Sequence, residues 1–266
     1  MTTDSKTAGT EFPQVEGNRT EADASFFVRF NVGQRMEHVL LMVTFIALVV
    51  TGLSQKYYTS SWGEWIILRM GGIDTTRLVH RIFGLAMAAS LVYHLGSVGF
   101  KLTRRKASLA MMPTLKDARD IVVTFKYYLG MSEEEPHFDR YDYKQKFEYL
   151  GILFGGALMI FSGFVLFFPV WFTGFLPGQV VPIAKEFHRN EALLALLTIV
   201  IWHMYSAHLR PGIFPGDLTV FTGRISRKRM IEEHPLEYER ITGKPAHHEN
   251  GEGASDDAGD IAQPLA

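Results

Sequence analysis

The sequence predicts an all-α membrane protein, a bundle of four transmembrane helices with a further helix lying along one membrane surface. Three observations predict it. Charge is missing from four stretches, residues 39–55, 82–100, 149–184 and 192–207. Lysine and arginine crowd into alternate connections between those stretches. Histidines 38, 80, 94, 188, 203 and 208 lie where apolar stretches begin and end. The formal net charge of -1 hides this banding, because the charge is segregated and not scarce.

Residues 1–30 read as a polar N-terminal arm, ordered only where a partner holds it and without the apolar run of a signal peptide. Residues 31–242 read as the four-helix domain. About 18 to 20 apolar residues cross the hydrocarbon core, so the first two charge-free stretches each suit one span. The third is long enough for a span near Phe147–Phe168 and an apolar exit through Pro169, Trp171, Pro177 and Pro182. The fourth reaches the required length as Glu186–His208, with interfacial ends. A buried helix of a soluble protein would explain any one stretch, but not four separated by banded charge. Between the second and third spans, Pro113 opens Thr114–Leu129, where Leu115, Ala118, Ile121, Val122, Phe125 and Leu129 recur at helical spacing. That stripe predicts an interfacial helix on the cytoplasmic surface. Residues 243–266, rich in Gly, Ser and Asp, have nothing to bury and read as a disordered tail, with His247 and His248 solvated.

Basic residues orient the spans. The 101–146 connection carries the cluster Lys101, Arg104, Arg105 and Lys106, and residues 209–244 carry Arg227, Lys228 and Arg229. The other two connections are nearly free of such groups. The positive-inside rule therefore places both termini and the 101–146 connection in the cytoplasm of a bacterium, with the chain in its inner membrane. Tyr57, Tyr58, Trp62, Trp65 and Trp171 then fall at the outer headgroup level, where amphipathic rings prefer to sit.

A histidine inside a span is costly unless it faces the bundle interior and finds a partner. His80 and His94 are 14 residues apart, and His188 and His203 are 15 apart. At 1.5 Å per residue the members of each pair are about 21 to 22 Å apart along the axis and return to within roughly 60° of one face. Two such helices, facing each other, can clamp an iron porphyrin near each membrane surface. Two neutral imidazoles on one iron are the ligation expected for electron transfer. At the outer level the pair is His80–His188, and Arg81 and Arg189, each directly following, are placed to neutralise haem propionates. At the inner level His203 is the central ligand, while His38, His94 and His208 compete to be its partner. Spacing alone favours His94. Gly84, Gly96, Gly155, Gly156 and Gly163 remove bulk where a porphyrin or a neighbouring backbone comes close. With no cysteine, the chain cannot hold an iron–sulfur cluster or a c-type haem attachment, so such centres belong to a partner.

Several stretches carry a resemblance: Arg35–Gly52, Arg77-Leu-Val-His-Arg-Ile-Phe-Gly84, Tyr141-Asp-Tyr-Lys-Gln-Lys-Phe147, Ile201-Trp-His-Met-Tyr-Ser-Ala-His208, Gly223-Arg-Ile-Ser-Arg-Lys-Arg229 and Glu233-His-Pro235. Over about residues 28–242 the chain resembles the membrane cytochrome b subunit of respiratory formate dehydrogenases, related to the cytochrome b subunit of membrane nickel–iron hydrogenases. The resemblance implies two b-type haems, ligated by His38–His203 and His80–His188. It also implies a quinone site at the cytoplasmic side, with menaquinone or ubiquinone as exchangeable substrate. The family's Tyr-Asn-Ala-Gly-Gln-Lys stretch is matched with Asp142 at the Asn position and Gln145 retained. Quinone chemistry moves protons as well as electrons, and Asp142, Glu148 and His208 are titratable groups near that surface. His188 precedes His203 by one residue more than in the family, which predicts a rotated or bulged fourth helix.

The chain therefore reads as an electron-transfer subunit of a multi-subunit quinone-linked oxidoreductase, with no substrate site of its own apart from quinone. Its partners are expected to be iron–sulfur, molybdenum, nickel–iron or multihaem cytochrome subunits, with the quinone pool and the lipid bilayer, and no nucleic acid. Alternatives are a three-haem cytochrome that uses His94 and His208, a haem-free membrane anchor, and a proton-conducting protein. No inverted repeat with broken helices favours the last.

Overall fold

The computed structural model describes residues 25–104, 109–133 and 136–246. The expected N-terminal arm as far as residue 24, Arg105 and Lys106, and the tail from His247 lie outside them. In chain order the elements are β1 (Phe26–Val28), α1 (Val32–Lys56), α2 (Ser61–Arg69), α3 (Ile73–Thr103), α4 (Leu115–Tyr128), α5 (Tyr143–Phe167) and α6 (Pro169–Thr173). Then come α7 (Val180–Leu209), α8 (Thr219–Thr222), β2 (Arg224–Ser226), α9 (Arg227–Glu233) and α10 (Pro235–Thr242). Helices α1, α3, α5 and α7 are each long and apolar enough to cross a membrane. Val43, Val92, Phe154, Leu158 and Phe161 point outward from α1, α3 and α5. On a soluble protein that surface would drive aggregation, but in lipid it is the solvent-facing side.

Inside the bundle the polarity is inverted. Thr44, Thr51, Ser54, Thr76 and Ser162 are buried. Thr44, for instance, donates its hydroxyl to the carbonyl of Leu40 at 2.8 Å, which satisfies the group within its own helix. Helix α1 packs mainly on α3, and α5 on α7. Between these two hairpins runs a cleft of about 5780 Å³.

The helix ends follow local chemistry. Asn31 and Gln34 form a capping box that starts α1, and Asp142 and Gln145 form another that starts α5. Helix α5 thus begins ahead of the Phe147 expected from the apolar run, because Lys144, Lys146 and Glu148 are accommodated in its first turns. Helix α7 likewise begins before Glu186. Its last part is π-helical over Thr198–His203 and again over Tyr205–Leu209. On a regular helix one inserted residue turns everything after it by about 100°, and a π-turn absorbs that residue without adding a turn. The Thr198–His203 segment lies within the interval from His188 to His203 and is the bulge expected of the fourth helix.

Helix α4 turns its polar side toward the bundle and its apolar side away. Asp117 and Thr124 are buried, and Lys146 of α5 reaches Asp117 at 2.8 Å. Leu115, Val122, Phe125 and Leu129 are exposed. This is the reverse of a soluble helix and suits one resting on lipid.

One end of the bundle carries a cap. Residues 26–30, placed with the polar arm by composition, are strand β1 and the turn into α1. Strand β1 pairs antiparallel with β2, Phe27 opposite Ile225. Phe27, Ile225, Met230, Ile231 and Tyr238 form its core. Gly223, at φ +78°, lets the chain turn into β2 where a Cβ would lie 2.6 Å from the Phe30 carbonyl oxygen. Beneath the strands Glu237 is buried between Arg29 and Arg140, which it holds by one carboxylate oxygen each. Burial is the main influence that lowers the Arg29 pKa, with Glu237 opposing it. Burial, and then the positive charge of Arg29, push His234 down to about 3, so this imidazole is held neutral and gives its Nδ1–H to the carbonyl of Asp139.

Candidate functional site

The cleft between the two hairpins brings four of the sequence-selected histidines together as two pairs. Near the end remote from the cap, His80 of α3 faces His188 of α7 with ring centroids 6.2 Å apart. Near the cap, His38 of α1 faces His203 of α7 at 6.3 Å. An imidazole nitrogen sits about 2 Å from a bound transition metal and roughly 1.1 Å from its own ring centre, so two imidazoles sharing one ion have centroids about 6 Å apart. Both pairs have that separation.

The hydrogen-bond inventory then fixes which nitrogen is free in three of the four rings. A hydroxyl has one proton to give. That of Thr51 goes to the carbonyl of Ala47 at 2.7 Å, so Thr51 accepts from His80 Nδ1 at 2.8 Å. That of Ser162 goes to the carbonyl of Met159 at 3.1 Å, so Ser162 accepts from His188 Nδ1 at 2.9 Å. Glu148 accepts from His203 Nδ1 at 3.0 Å. In each ring Nδ1 carries the proton and the Nε2 lone pair is left for a ligand in the cleft. His38 Nδ1 is buried and has no partner among the described residues.

His94 and His208 differ. His94 gives Nδ1–H to Glu37 at 2.8 Å and accepts the Tyr149 hydroxyl at Nε2, 2.9 Å away. Its lone pair is spent on a chain that ties α1, α3 and α5 together. His208 Nδ1 accepts the backbone N–H of Asp217 at 3.2 Å, which pins the turn after α7.

Two glycines make room for the remote pair. A Cβ on Gly52 would lie 3.1 Å from His80 Cε1, and one on Gly163 would lie 3.4 Å from His188 Cε1. Each hairpin therefore repeats one device, a hydroxyl residue followed by glycine on the first helix and a histidine on the second. Sequence reasoning singled out Gly163 but missed Thr51, Gly52 and Ser162. The signal was present: Thr51-Gly52 and Ser162-Gly163 are hydroxyl–glycine steps inside charge-free runs. Gly84, Gly96 and Gly156 have nothing among the described residues within 4 Å of a built Cβ.

The other selected residues lie along the same cleft. Arg81 rests over the Phe167 ring at 5.0 Å, and Arg189 pairs with Glu186 at 2.9 Å. Asp142 and Gln145 are at the capped end, joined to each other: the Asp142 carboxylate accepts the Gln145 backbone N–H at 2.7 Å. Glu148 stands one turn further along α5. The donor set and the room fit a b-type haem at each pair: two imidazoles at bridging distance with Nε2 free where Nδ1 is engaged, and, at the remote pair, glycines against the imidazoles and arginines beside them.

The chain matches the prokaryotic cytochrome b561 family over residues 29–214. It is similar to the nitrate-inducible formate dehydrogenase cytochrome b556 subunit of Escherichia coli (strain K12), 22% identical over 230 residues, which cover 86% of this chain and 98% of that one. The counterpart in Shigella flexneri is equally similar, at 22% over 230 residues, 86% of this chain and 98% of its own. A second Escherichia coli (strain K12) protein, a formate dehydrogenase cytochrome b556 subunit, is 24% identical over 216 residues, 80% of this chain and 92% of its own.

Proposed function

The chain belongs to the prokaryotic cytochrome b561 family, and on that premise we propose that it is the two-haem cytochrome b subunit of a formate dehydrogenase-type respiratory complex. In that role it transfers electrons between a quinone at the cytoplasmic side and a partner redox subunit at the outer face of the inner membrane. The observation that carries the reading is the pair of histidine bridges at 6.2 and 6.3 Å, with Nδ1 protons engaged away from the cleft in three of the four rings. His80 and His188 would hold one haem, His38 and His203 the other. Bound haem supplies one-electron transfer. The chain supplies the rest: imidazoles oriented by Thr51, Ser162 and Glu148, an apolar surround that excludes water, and Arg81 and Arg189 as counter-charges for propionates at the remote edge.

The quinone site is assigned to the capped end, where Asp142, Gln145 and His208 line the cleft. Gln145 keeps its side-chain amide protons for a quinone oxygen, since its carbonyl oxygen is used by the Asp142 N–H. Asp142 and His208 are titratable groups lining the cleft there. The abundance of Lys and Arg at this end supports a cytoplasmic position for it. A molybdenum- and iron–sulfur-bearing partner agrees with the cysteine-free sequence, which leaves those centres to another chain.

Membranes containing the assembled complex test this reading. Adding formate is expected to reduce the b-type absorbance, and adding a quinone is expected to reoxidise it. A b-type absorbance that ignores formate while the partner remains attached would contradict the assignment to this class of complex.

A further inference from the structure

The four imidazoles of the two bridges do not have equal partners. At the remote pair both Nδ1 atoms give their proton to neutral hydroxyls, Thr51 and Ser162. At the capped pair His38 Nδ1 has no partner among the described residues, and His203 Nδ1 gives its proton to a carboxylate. Glu148 projects from α5, one turn inside the capping box, and its side chain is largely buried, at 12% exposed against 27% for His203. The next residue, Tyr149, is drawn to His94 on α3, so the start of α5 is held on both sides.

We infer that Glu148 is a positioning residue for the haem at the capped end, and that its carboxylate lowers the potential of that haem through His203. A hydrogen bond to an ionised acceptor is roughly twice as strong as one between neutral groups. By drawing the Nδ1 proton toward itself, the carboxylate makes the opposite nitrogen a stronger donor to iron, as carboxylate–histidine–metal arrangements do. A stronger donor stabilises the ferric over the ferrous state. Hydroxyl acceptors do this less, so the two haems of one chain differ in potential by a device in the protein and not in the cofactor. Ligand hydrogen bonding is one of the few levers available to a protein over haem potential. The inference rests on the reading of His38 and His203 as ligands.

Spectroelectrochemistry of the purified wild-type protein and of Glu148→Gln tests it, with low-spin electron paramagnetic resonance as a second readout. In Glu148→Gln one of the two midpoint potentials is expected to rise by at least a tenfold change in the oxidised-to-reduced ratio, about 59 mV for one electron. The low-spin signal of the same centre should shift, and the other centre should keep both values. Glu148→Asp keeps the charge but shortens its reach, and should move the same centre in the same direction. Two haems whose potentials and signals ignore Glu148→Gln would overturn this inference alone. A wild type without b-type haem would overturn the ligand reading, and this inference with it. If Glu148→Gln fails to retain the haem, Glu148→Asp decides, and an unmoved potential in it overturns the inference.

Discussion

Exchanging His203 for alanine is expected to halve the b-type absorbance of the protein and to bring electron transfer between formate and quinone down to background, with the partner subunits still attached. His203 is at bridging distance from His38 and has its Nδ1 proton committed to Glu148. Alanine leaves His38 alone on that side of the cleft, and a single imidazole cannot hold a low-spin haem. His38→Ala should give the same loss. His94→Ala should retain both haems with unchanged low-spin spectra, because both nitrogens of His94 are already engaged, by Glu37 and Tyr149. Optical spectra and haem extraction on the three variants check this. Loss of a haem in His94→Ala, with both retained in His38→Ala, would reverse the assignment, and a wild-type count of three would return His94 and His208 to the ligand set.

Glu237→Ala is expected to have the largest effect on stability. Glu237 is 2% exposed and holds Arg29, itself 4% exposed, as well as Arg140. Removing one partner of a buried ion pair leaves an uncompensated charge, at a cost of about 3 to 5 kcal/mol. Arg29 would carry that cost, since its other side-chain hydrogen bond goes only to the carbonyl of Arg140 and it cannot lose its proton at ordinary pH. The damage should be confined to the cap: amide exchange in Phe26–Val28 and Arg224–Ser226 speeds up, while the spanning helices keep their protection and both haems remain. Equal exchange in wild type and variant would show that the cap does not depend on this triad.

The spanning helices were legible because lipid imposes a simple rule on sequence: charge-free runs of sufficient length. Their ends were less so, since Lys144, Lys146 and Glu148 lie inside α5 although the apolar run starts after them. The bulge in α7 was expected from the resemblance, which calls for a shorter interval than the 15 residues from His188 to His203. The pairing His80–His188 followed from depth alone, as only two histidines share that level. Spacing alone favours His94, whereas His38 faces His203, because spacing gives depth and face on one helix and not which nitrogen a neighbour has already taken. That depends on Glu37 and Tyr149, which come from two other helices. The cap was the least legible part. Its strands are three residues each, too short to show an alternating pattern. Its buried triad joins Arg29, Arg140 and Glu237 from distant parts of the chain, with no local signal.

The most direct test of the account is the haem content of the purified chain, measured by pyridine haemochrome against protein determined by amino-acid analysis. Two b-type haems per chain, with a low-spin reduced spectrum, is the expected result. A colourless protein, or one haem per chain in fully loaded preparations, would contradict it.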